Sequence, residues 1–345
     1  MQIIKYGMNL DFLGKRKIGF AISIILILLG AVSLLIHKGP KLGIDFAGGT
    51  IVQVRFSQDV SINNIRDGLS NIGLASSSVQ NFGVENSHEY LIRTSQPEMT
   101  GEGFSGSIQQ ALEDSTGSVP EIRRIEMVGP QVGKDLRKKA LLAIFYSLLF
   151  ITIYISGRFE LKWIISGATA GALMAAVYFL SIFNMSMPIL ITAALIISLI
   201  IFWQLKLNYA MGAIVALIHD IMITIGIFSI LDIEFSLPII AALLTIIGYS
   251  LNDTIIIFDR IRENLKTMQK KPIFDVINRS INDTLNRTVM TSITTLIVLF
   301  CLLFLGGEII HDFTFAMIIG VIVGTYSSVF VASPILLISK SQENL

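Results

Sequence analysis

Four ionisable side chains sit where the sequence is otherwise apolar: Asp253, the adjacent pair His219-Asp220, and Arg287. Asp253 lies in Gly248-Tyr249-Ser250-Leu251-Asn252-Asp253-Thr254, inside an apolar run over residues 237–258 that ends in Asp259-Arg260-Ile261-Arg262-Glu263-Asn264. At about 1.5 Å of rise per residue, that places its carboxylate roughly 7 Å inside the charged end of a membrane span. A lone Asp at a helix centre costs roughly 2.5 to 3.5 kcal/mol on insertion scales, so it must face protein partners or a water-filled path. Two roles fit: a polar contact between helices, or a proton or ion site with Asn252 beside it.

His219-Asp220 lies within the apolar run 209–230, so two neighbouring spans each carry an acid. His219 reads first as a hydrogen-bonded core residue and second as a relay member. Arg287 enters the next span with Thr284, Thr291 and Thr295 at spacings of three or four, a polar stripe on one helix face. The stripe also suits plain helix packing through hydroxylated residues. From the charged end, the long Arg287 side chain can reach toward Asp253, and a guanidinium that approaches and withdraws would unload and load a proton. An aspartyl protease built on Asp220 and Asp253 would need the two carboxyls about 3 Å apart. Counting rise from the ends of the runs puts Asp220 about 20 Å deep and Asp253 about 7 Å deep, which keeps them apart. Neither a catalytic set nor a metal site is expected. The four histidines lack paired spacing, and the single cysteine, Cys301, excludes an internal disulfide and lies in an apolar run where an inert thiol is expected.

The elements that must position these groups are membrane helices. The chain has 345 residues, 53% hydrophobic and 15% charged, with a mean hydropathy of +0.71, which is too apolar for a soluble globular protein. A formal net charge of +1 points to no acidic partner, nucleic acid included. Apolar runs at residues 18–36, 140–155, 163–183, 188–203, 209–230, 237–258, 289–305 and 313–338 give eight spans. The first follows Lys15-Arg16-Lys17 and is too long for the core of a signal peptide, so it is read as a retained span with a cytoplasmic N-terminus. Short loops at 184–187, 231–236 and 306–312 contain no Lys or Arg, whereas Lys206, Arg260, Arg262, Lys266, Lys270, Lys271 and Arg279 lie opposite. That asymmetry places both termini in the cytoplasm. Residues 259–287, with Pro272 near the middle and Phe274, Ile277, Ile281 and Leu285 at helical spacing, read as a cytoplasmic amphipathic helix along the membrane face, held to the bundle as a connector.

Between the first two spans, residues 38–137 pattern as a folded domain with nothing catalytic in it. Residues 51–56 alternate like a strand, 62–74 like a helix, 79–82 and 90–93 like two more strands, and a helix on Phe104, Ile108, Ala111 and Leu112 precedes a strand through Ile122, Ile125 and Met127. The order β-α-β-β-α-β is that of a ferredoxin-like α+β unit. Asp45-Phe46-Ala47-Gly48-Gly49-Thr50 enters it, and the paired glycines permit close backbone approach or positive φ, as a tight connection or a ligand loop would need. The divisions are therefore 1–37 (head and first span), 38–137 (extracytoplasmic domain), 138–162 (second span and loop), 163–208 (a hairpin of two spans), 209–340 (bundle) and 341–345 (tail).

Four stretches together resemble the SecF branch of the SecD/SecF family, within the resistance-nodulation-division superfamily. They are Gly43-Ile44-Asp45-Phe46-Ala47-Gly48-Gly49-Thr50, Val128-Gly129-Pro130-Gln131-Val132-Gly133, Gly212-Ala213-Ile214-Val215-Ala216-Leu217-Ile218-His219-Asp220 and residues 247–264. Thr284-Leu285-Asn286-Arg287-Thr288 is similar to that family as well. The resemblance implies a non-enzymatic subunit of protein export in the bacterial inner membrane, driven by a proton or sodium gradient and needing no cofactor beyond that ion. It also implies work with SecD, the SecYEG translocon, an accessory YajC-like subunit and the translocating preprotein. The positions it associates with ion coupling are those matching Asp253 and Arg287. In that family the bundle has six spans, so residues 164–208 are expected to be an added hairpin, peripheral and free of Asp, Glu and His. Gly167, Ala168, Gly171, Ala172, Ala175 and Ala176 give it a small-residue face expected to dock on the bundle. The rival functions are a half-size exporter of small molecules or lipids of the same superfamily, the protease, and a static scaffold.

Overall fold

The computed structural model describes residues 10–83, 87–94, 102–182 and 186–341. The first nine residues of the head, residues 184 and 185 of the 184–187 loop and all of the tail after Ser341 lie outside that range. In chain order the elements are α1 (Arg16–Ile36), α2 (Ile44–Ala47), β1 (Gly49–Arg55), α3 (Ile62–Asn71), β2 (Ser78–Phe82), β3 (Glu89–Thr94), α4 (Glu102–Thr116) and β4 (Glu121–Val128). Then follow α5 (Pro130–Glu160), α6 (Trp163–Ser181), α7 (Met187–Gln204), α8 (Asn208–Ile230), α9 (Leu237–Thr267), α10 (Ile273–Leu305), α11 (Glu308–Ser327), a π-helical turn (Ser328–Ala332) and α12 (Ser333–Ser341). Eight helical segments among the described residues are long and apolar enough to cross a membrane, the last being α11 continued through the π turn into α12.

The α+β domain has the expected element order. Its sheet runs β2-β3-β1-β4 with every neighbouring pair antiparallel, the ferredoxin-like arrangement. Alternation does the sorting: Val52, Val54 and Ile92 turn inward and meet Ile65 and Leu69 of α3 and Ile108 and Leu112 of α4. The sheet ends at Val128 and α5 begins at Pro130, whose fixed φ and missing N–H suit a helix start. Residues 130–137, which composition alone assigns to the domain, are thus the first turns of a membrane helix.

Residues 259–287 do not form a separate surface helix. They are the projecting ends of α9 and α10, helices of 31 and 33 residues, or about 46 and 50 Å, against a hydrocarbon core of about 30 Å. A turn at residues 268–272 joins them, with Pro272 as the N-cap of α10. Asn264 Nδ2 donates to Ser280 Oγ at 3.0 Å and Arg260 pairs with Asp283 at 3.0 Å, while Ile277 and Ile281 are buried between the arms. The amphipathic spacing is real, but its apolar face meets the neighbouring helices and not a lipid surface.

In the bundle, α8, α9 and the last span form the centre. Helices α1 and α8 run parallel with an offset of 196: Ser33 Oγ lies 2.8 Å from Ser229 Oγ and Ser23 Oγ lies 2.9 Å from His219 Nε2. Gly30 and Gly226 allow this, since a Cβ on Gly30 would come within 2.6 Å of Gly226 Cα. The 163–208 hairpin packs on the outside of α5, through Ala170, Leu173 and Val177 of α6 and Ile191 and Ala194 of α7 against Phe145 and Leu149. Its small-residue face is not the docking face: Ala168, Gly171, Ala172, Ala175 and Ala176 are exposed, and a Cβ on Gly167 or Gly171 would meet nothing. Larger side chains on the opposite face offer more apolar area to bury, and they decide the orientation.

Candidate functional site

Three helices bring polar groups to one level of the bundle, and antiparallel or parallel register fixes which ones meet. Helices α8 and α9 are antiparallel: Asp220 is level with Ser250, and Gly212 with Phe258. Helices α9 and α11 are parallel, so that Ile246 packs on Gly320 and Ser250 on Gly324, where a Cβ would come within 2.8 Å of the serine Cβ. Asp220 is fully buried at the meeting point. Its Oδ2 accepts from Ser250 Oγ at 2.6 Å and from Ser327 Oγ at 2.9 Å, and its Oδ1 lies 2.8 Å from His219 Nδ1. The other imidazole nitrogen, Nε2, meets Ser23 Oγ of α1, which lies 3.2 Å from the Tyr326 hydroxyl; that hydroxyl donates to the Gly19 carbonyl at 2.5 Å. The result is a closed network joining α1, α8, α9 and α11, in which every oxygen of the Asp220 carboxylate is satisfied. A network of this kind fixes relative helix positions, because each member would leave a costly orphan if it moved.

Asp253 is built differently. It is 2% exposed, yet its Oδ2 is buried without a hydrogen-bond partner. It lies three residues after Ser250, about 4.5 Å of rise toward the end remote from the sheet. Asp220 and Asp253 are therefore within one turn of each other in depth, which corrects the separation reckoned from the apolar runs. The ends of the two runs are not at a common level: Phe258, the last residue of one, lies against Gly212, inside the other, and α9 continues to Thr267. No protease dyad results, since Asp220 spends its oxygens on His219, Ser250 and Ser327.

Arg287, on α10, is exposed and makes no ion pair within 4 Å of Asp253, although the carboxylate is close enough to feel its charge. Together with Asn252, Ile255 and Ile256 it lines an open cavity of about 660 Å³ between α5, α9 and α10, whose mouth carries Arg158, Asp259, Arg260, Glu263 and Asp283. Asn252 points into that cavity and joins neither the Asp220 network nor Asp253. The threonine stripe bonds mainly to its own helix: Thr291 Oγ1 donates to the Arg287 carbonyl at 3.1 Å and Thr295 Oγ1 to the Thr291 carbonyl at 3.0 Å. Thr295 also lies 3.2 Å from the Tyr249 hydroxyl, which ties α9 to α10. Thr288 Oγ1, one residue after Arg287, is buried and without a partner. Asp253 thus retains open hydrogen-bonding capacity, whereas Asp220 has none.

Sequence reasoning missed Ser23, Ser327 and Tyr326. Single hydroxyls in apolar runs carry no periodic signal. Only the His219-Asp220 pair, which must have partners when buried, could have pointed to them.

At the opposite end of the bundle, Asp45, Gly48 and Gly49 form a tight junction between the first span and the sheet. Gly48 has φ +80°, and a Cβ on it would come within 2.8 Å of Pro130 Cα. Asp45 Oδ2 accepts the Leu237 N–H at 2.8 Å. Close by, Lys41 Nζ pairs with Asp232 at 2.7 Å and holds that carboxyl below its ordinary range, and Arg93 of the sheet pairs with Glu234.

Residues 108–187 and 179–342 match the family described as protein export membrane protein SecD/SecF, C-terminal, and residues 33–60 match the SecD/SecF GG motif. The first match breaks within the α6–α7 hairpin. Relatives of similar sequence include the protein translocase subunit SecF of Calditerrivibrio nitroreducens, 39% identical over 345 residues that cover 99% of this chain and 97% of the relative. The protein translocase subunit SecF of Vibrio alginolyticus is 39% identical over 337 residues, covering 97% and 91%. Among solved structures, the fold is similar to that of SecDF, a translocon-associated membrane protein from Thermus thermophilus, with a TM-score of 0.74 and 31% identity over 97% of this chain. The chain spans only 39% of that longer SecDF polypeptide.

Proposed function

Because the chain belongs to the SecD/SecF protein-export family, as a multi-pass subunit of SecF type acting with SecD in protein translocation, we propose that it converts an ion gradient into work on a translocating preprotein through Asp253. The setting of this reading is the bacterial inner membrane, with both termini in the cytoplasm, the α+β domain outside, and SecYEG and a YajC-like subunit as further partners.

The observation that supports it is the contrast between two buried acids. Asp220 is saturated with hydrogen bonds and serves as a structural hub, whereas Asp253 keeps an open oxygen and adjoins in sequence Asn252, which lines the cavity that holds Arg287. A buried carboxylate with unmet hydrogen-bonding capacity gains from taking up a proton or a sodium ion. Arg287 supplies a mobile positive charge that competes with that ion. His219 positions Asp220 and does not itself meet the cavity. Affinity purification in mild detergent tests the assembly: SecD and translocon subunits should co-purify with the chain. Their absence, together with a lipid or drug phenotype on deletion, would favour the exporter.

A further inference from the structure

We propose that residues 41–49 are a strut that carries movement of α9 into the sheet, with Asp45 as its positioning residue. The proposal rests on the reading of Asp253 as the ion-coupling group.

The first turn of α9 lacks its own cap. Ser236 stands at the N-cap position but makes no side-chain bond to the helix, and Pro238 has no N–H to offer. The outermost donor, Leu237 N–H, is met by Asp45, which also places a negative charge at the positive end of the helix. Two backbone bonds reinforce the contact: Gly43 N–H donates to the Phe235 carbonyl at 2.8 Å, and Phe235 N–H to the Lys41 carbonyl at 2.7 Å. They pair Leu42 with Phe235 as a single parallel bridge. Lys41 with Asp232 and Arg93 with Glu234 add ionic contacts on either side.

The other end of the strut is equally fixed. Phe46 is buried, Gly48 lies against the backbone of Pro130, and a Cβ on Gly133 would come within 3.1 Å of Gly48 N and the Phe46 carbonyl. Strand β1 starts at Gly49 with no slack between, and β1 is an inner strand, paired on both sides. Helix α9 runs unbroken from Leu237 past Asp253, a rise of about 24 Å. A shift of α9 along or about its axis therefore reaches an inner strand of the sheet through one turn of chain. Packed helices and hydrogen-bonded backbone transmit such a shift as a discrete step, because neither deforms continuously.

The test uses the full chain with its SecD partner in membranes, in a Cys301→Ser background. Spin labels at Arg55→Cys and Leu35→Cys report the distance between sheet and bundle, and maleimide labelling of Ile256→Cys from the cavity side reports α9 itself. Imposing a gradient should change both readouts. Asp45→Leu should keep the Ile256→Cys response and lose most of the distance change, at least fivefold, whereas Asp45→Asn, which retains an acceptor oxygen, should keep it. An undiminished distance change in Asp45→Leu overturns the strut. If Asp45→Leu does not assemble, the same variant carrying Lys41→Cys and Asp232→Cys joined by a short thiol cross-linker replaces the contact covalently. It should recover the distance change, and failure to do so also overturns the proposal. A gradient response at Ile256→Cys that survives Asp253→Asn would count against the ion-coupling reading and take the strut with it. A response lost there but intact in Asp45→Leu leaves only the transmission step in question.

Discussion

Ser250 Oγ lies 2.6 Å from Asp220 Oδ2. That single contact sets the register of α8 against α9, and it brings Asp253 to within a turn of the buried network without making it a member. Ser250 thus divides two chemistries: level with it, on α8, a saturated carboxylate that holds helices together, and one turn further along α9 an unsatisfied one.

Asp253→Asn keeps the shape of the side chain and removes its titration and its charge. Export into inverted membrane vesicles should lose its stimulation by an imposed gradient, while insertion of the chain is unchanged. One charge moved through the full potential is worth about 2.3 kcal/mol per 100 mV, so a two-state change biased about fiftyfold should become unbiased. Wild-type stimulation in this variant would remove Asp253 from the mechanism.

Arg287→Ala should be nearly as damaging, because no other cation on α10 replaces it at that level of the cavity. The Lys substitution is the informative one. With no bidentate pair to Asp253 in the structure, a point charge should suffice, and Arg287→Lys should retain most gradient-driven export. A dead Arg287→Lys would mean that a fork-shaped contact forms during the cycle.

Ser250→Ala and Ser327→Ala each remove one donor from a fully buried carboxylate. Each should lower thermal stability in detergent by the equivalent of about 1 to 3 kcal/mol. The double variant should fall short of the sum or exceed it, since both hydroxyls meet the same oxygen. Strict additivity in a thermal-shift series would argue that they are not one network.

Gly48→Ala places a methyl group where Pro130 Cα already lies and forces a side chain into a positive-φ conformation. A loss of stability of roughly 1 to 2 kcal/mol from the backbone alone is expected, with the clash adding to it. Protease nicking of residues 38–48 in membranes should rise accordingly.

Removing residues 164–208 and joining Trp163 to Tyr209 should leave gradient dependence intact, because the excised helices carry no acid or histidine. Stability should fall, since Phe202 and Leu207 are fully buried in the main core and Phe145 and Leu149 would lose their cover. Gradient-independent export by an assembled complex would place the hairpin inside the coupling path. Loss of SecD alone would make it an assembly element.

Much of this architecture was legible because hydrophobic periodicity reports burial directly. The eight spans, the six elements of the α+β domain and the buried acids all follow from runs and alternation. What periodicity cannot give is depth across helices. The apolar runs misplace Asp220 relative to Asp253 because α9 keeps its helical hydrogen bonds well past the end of its apolar run, and a run measures lipid contact, not helix length. For the same reason the ends of α9 and α10 read as a surface helix. The orientation of α6 was misjudged through its alanines and glycines, which permit close packing but do not compel it when Leu173 and Val177 occupy the other face. Asp45 was visible as a motif, yet its partner Leu237 lies 192 positions away and is a backbone group, invisible in side-chain chemistry.

The π-helical turn at Ser328–Ala332 divides the last span into two phases. One extra residue in a turn rotates everything after it by about 100° relative to an unbroken α-helix. Before the turn, Tyr326 and Ser327 keep time with α1 and α8, presenting hydroxyls to Ser23 and Asp220. Ala332, at the end of the turn, faces Gly212, and Leu336 beyond it enters the apolar core. Deleting a single residue from the turn would heal the helix, but it would leave one of these two sets facing the wrong way. The wide turn acts as a phase shifter, letting one continuous helix serve a polar hub and an apolar core whose positions a uniform 3.6-residue period cannot satisfy together.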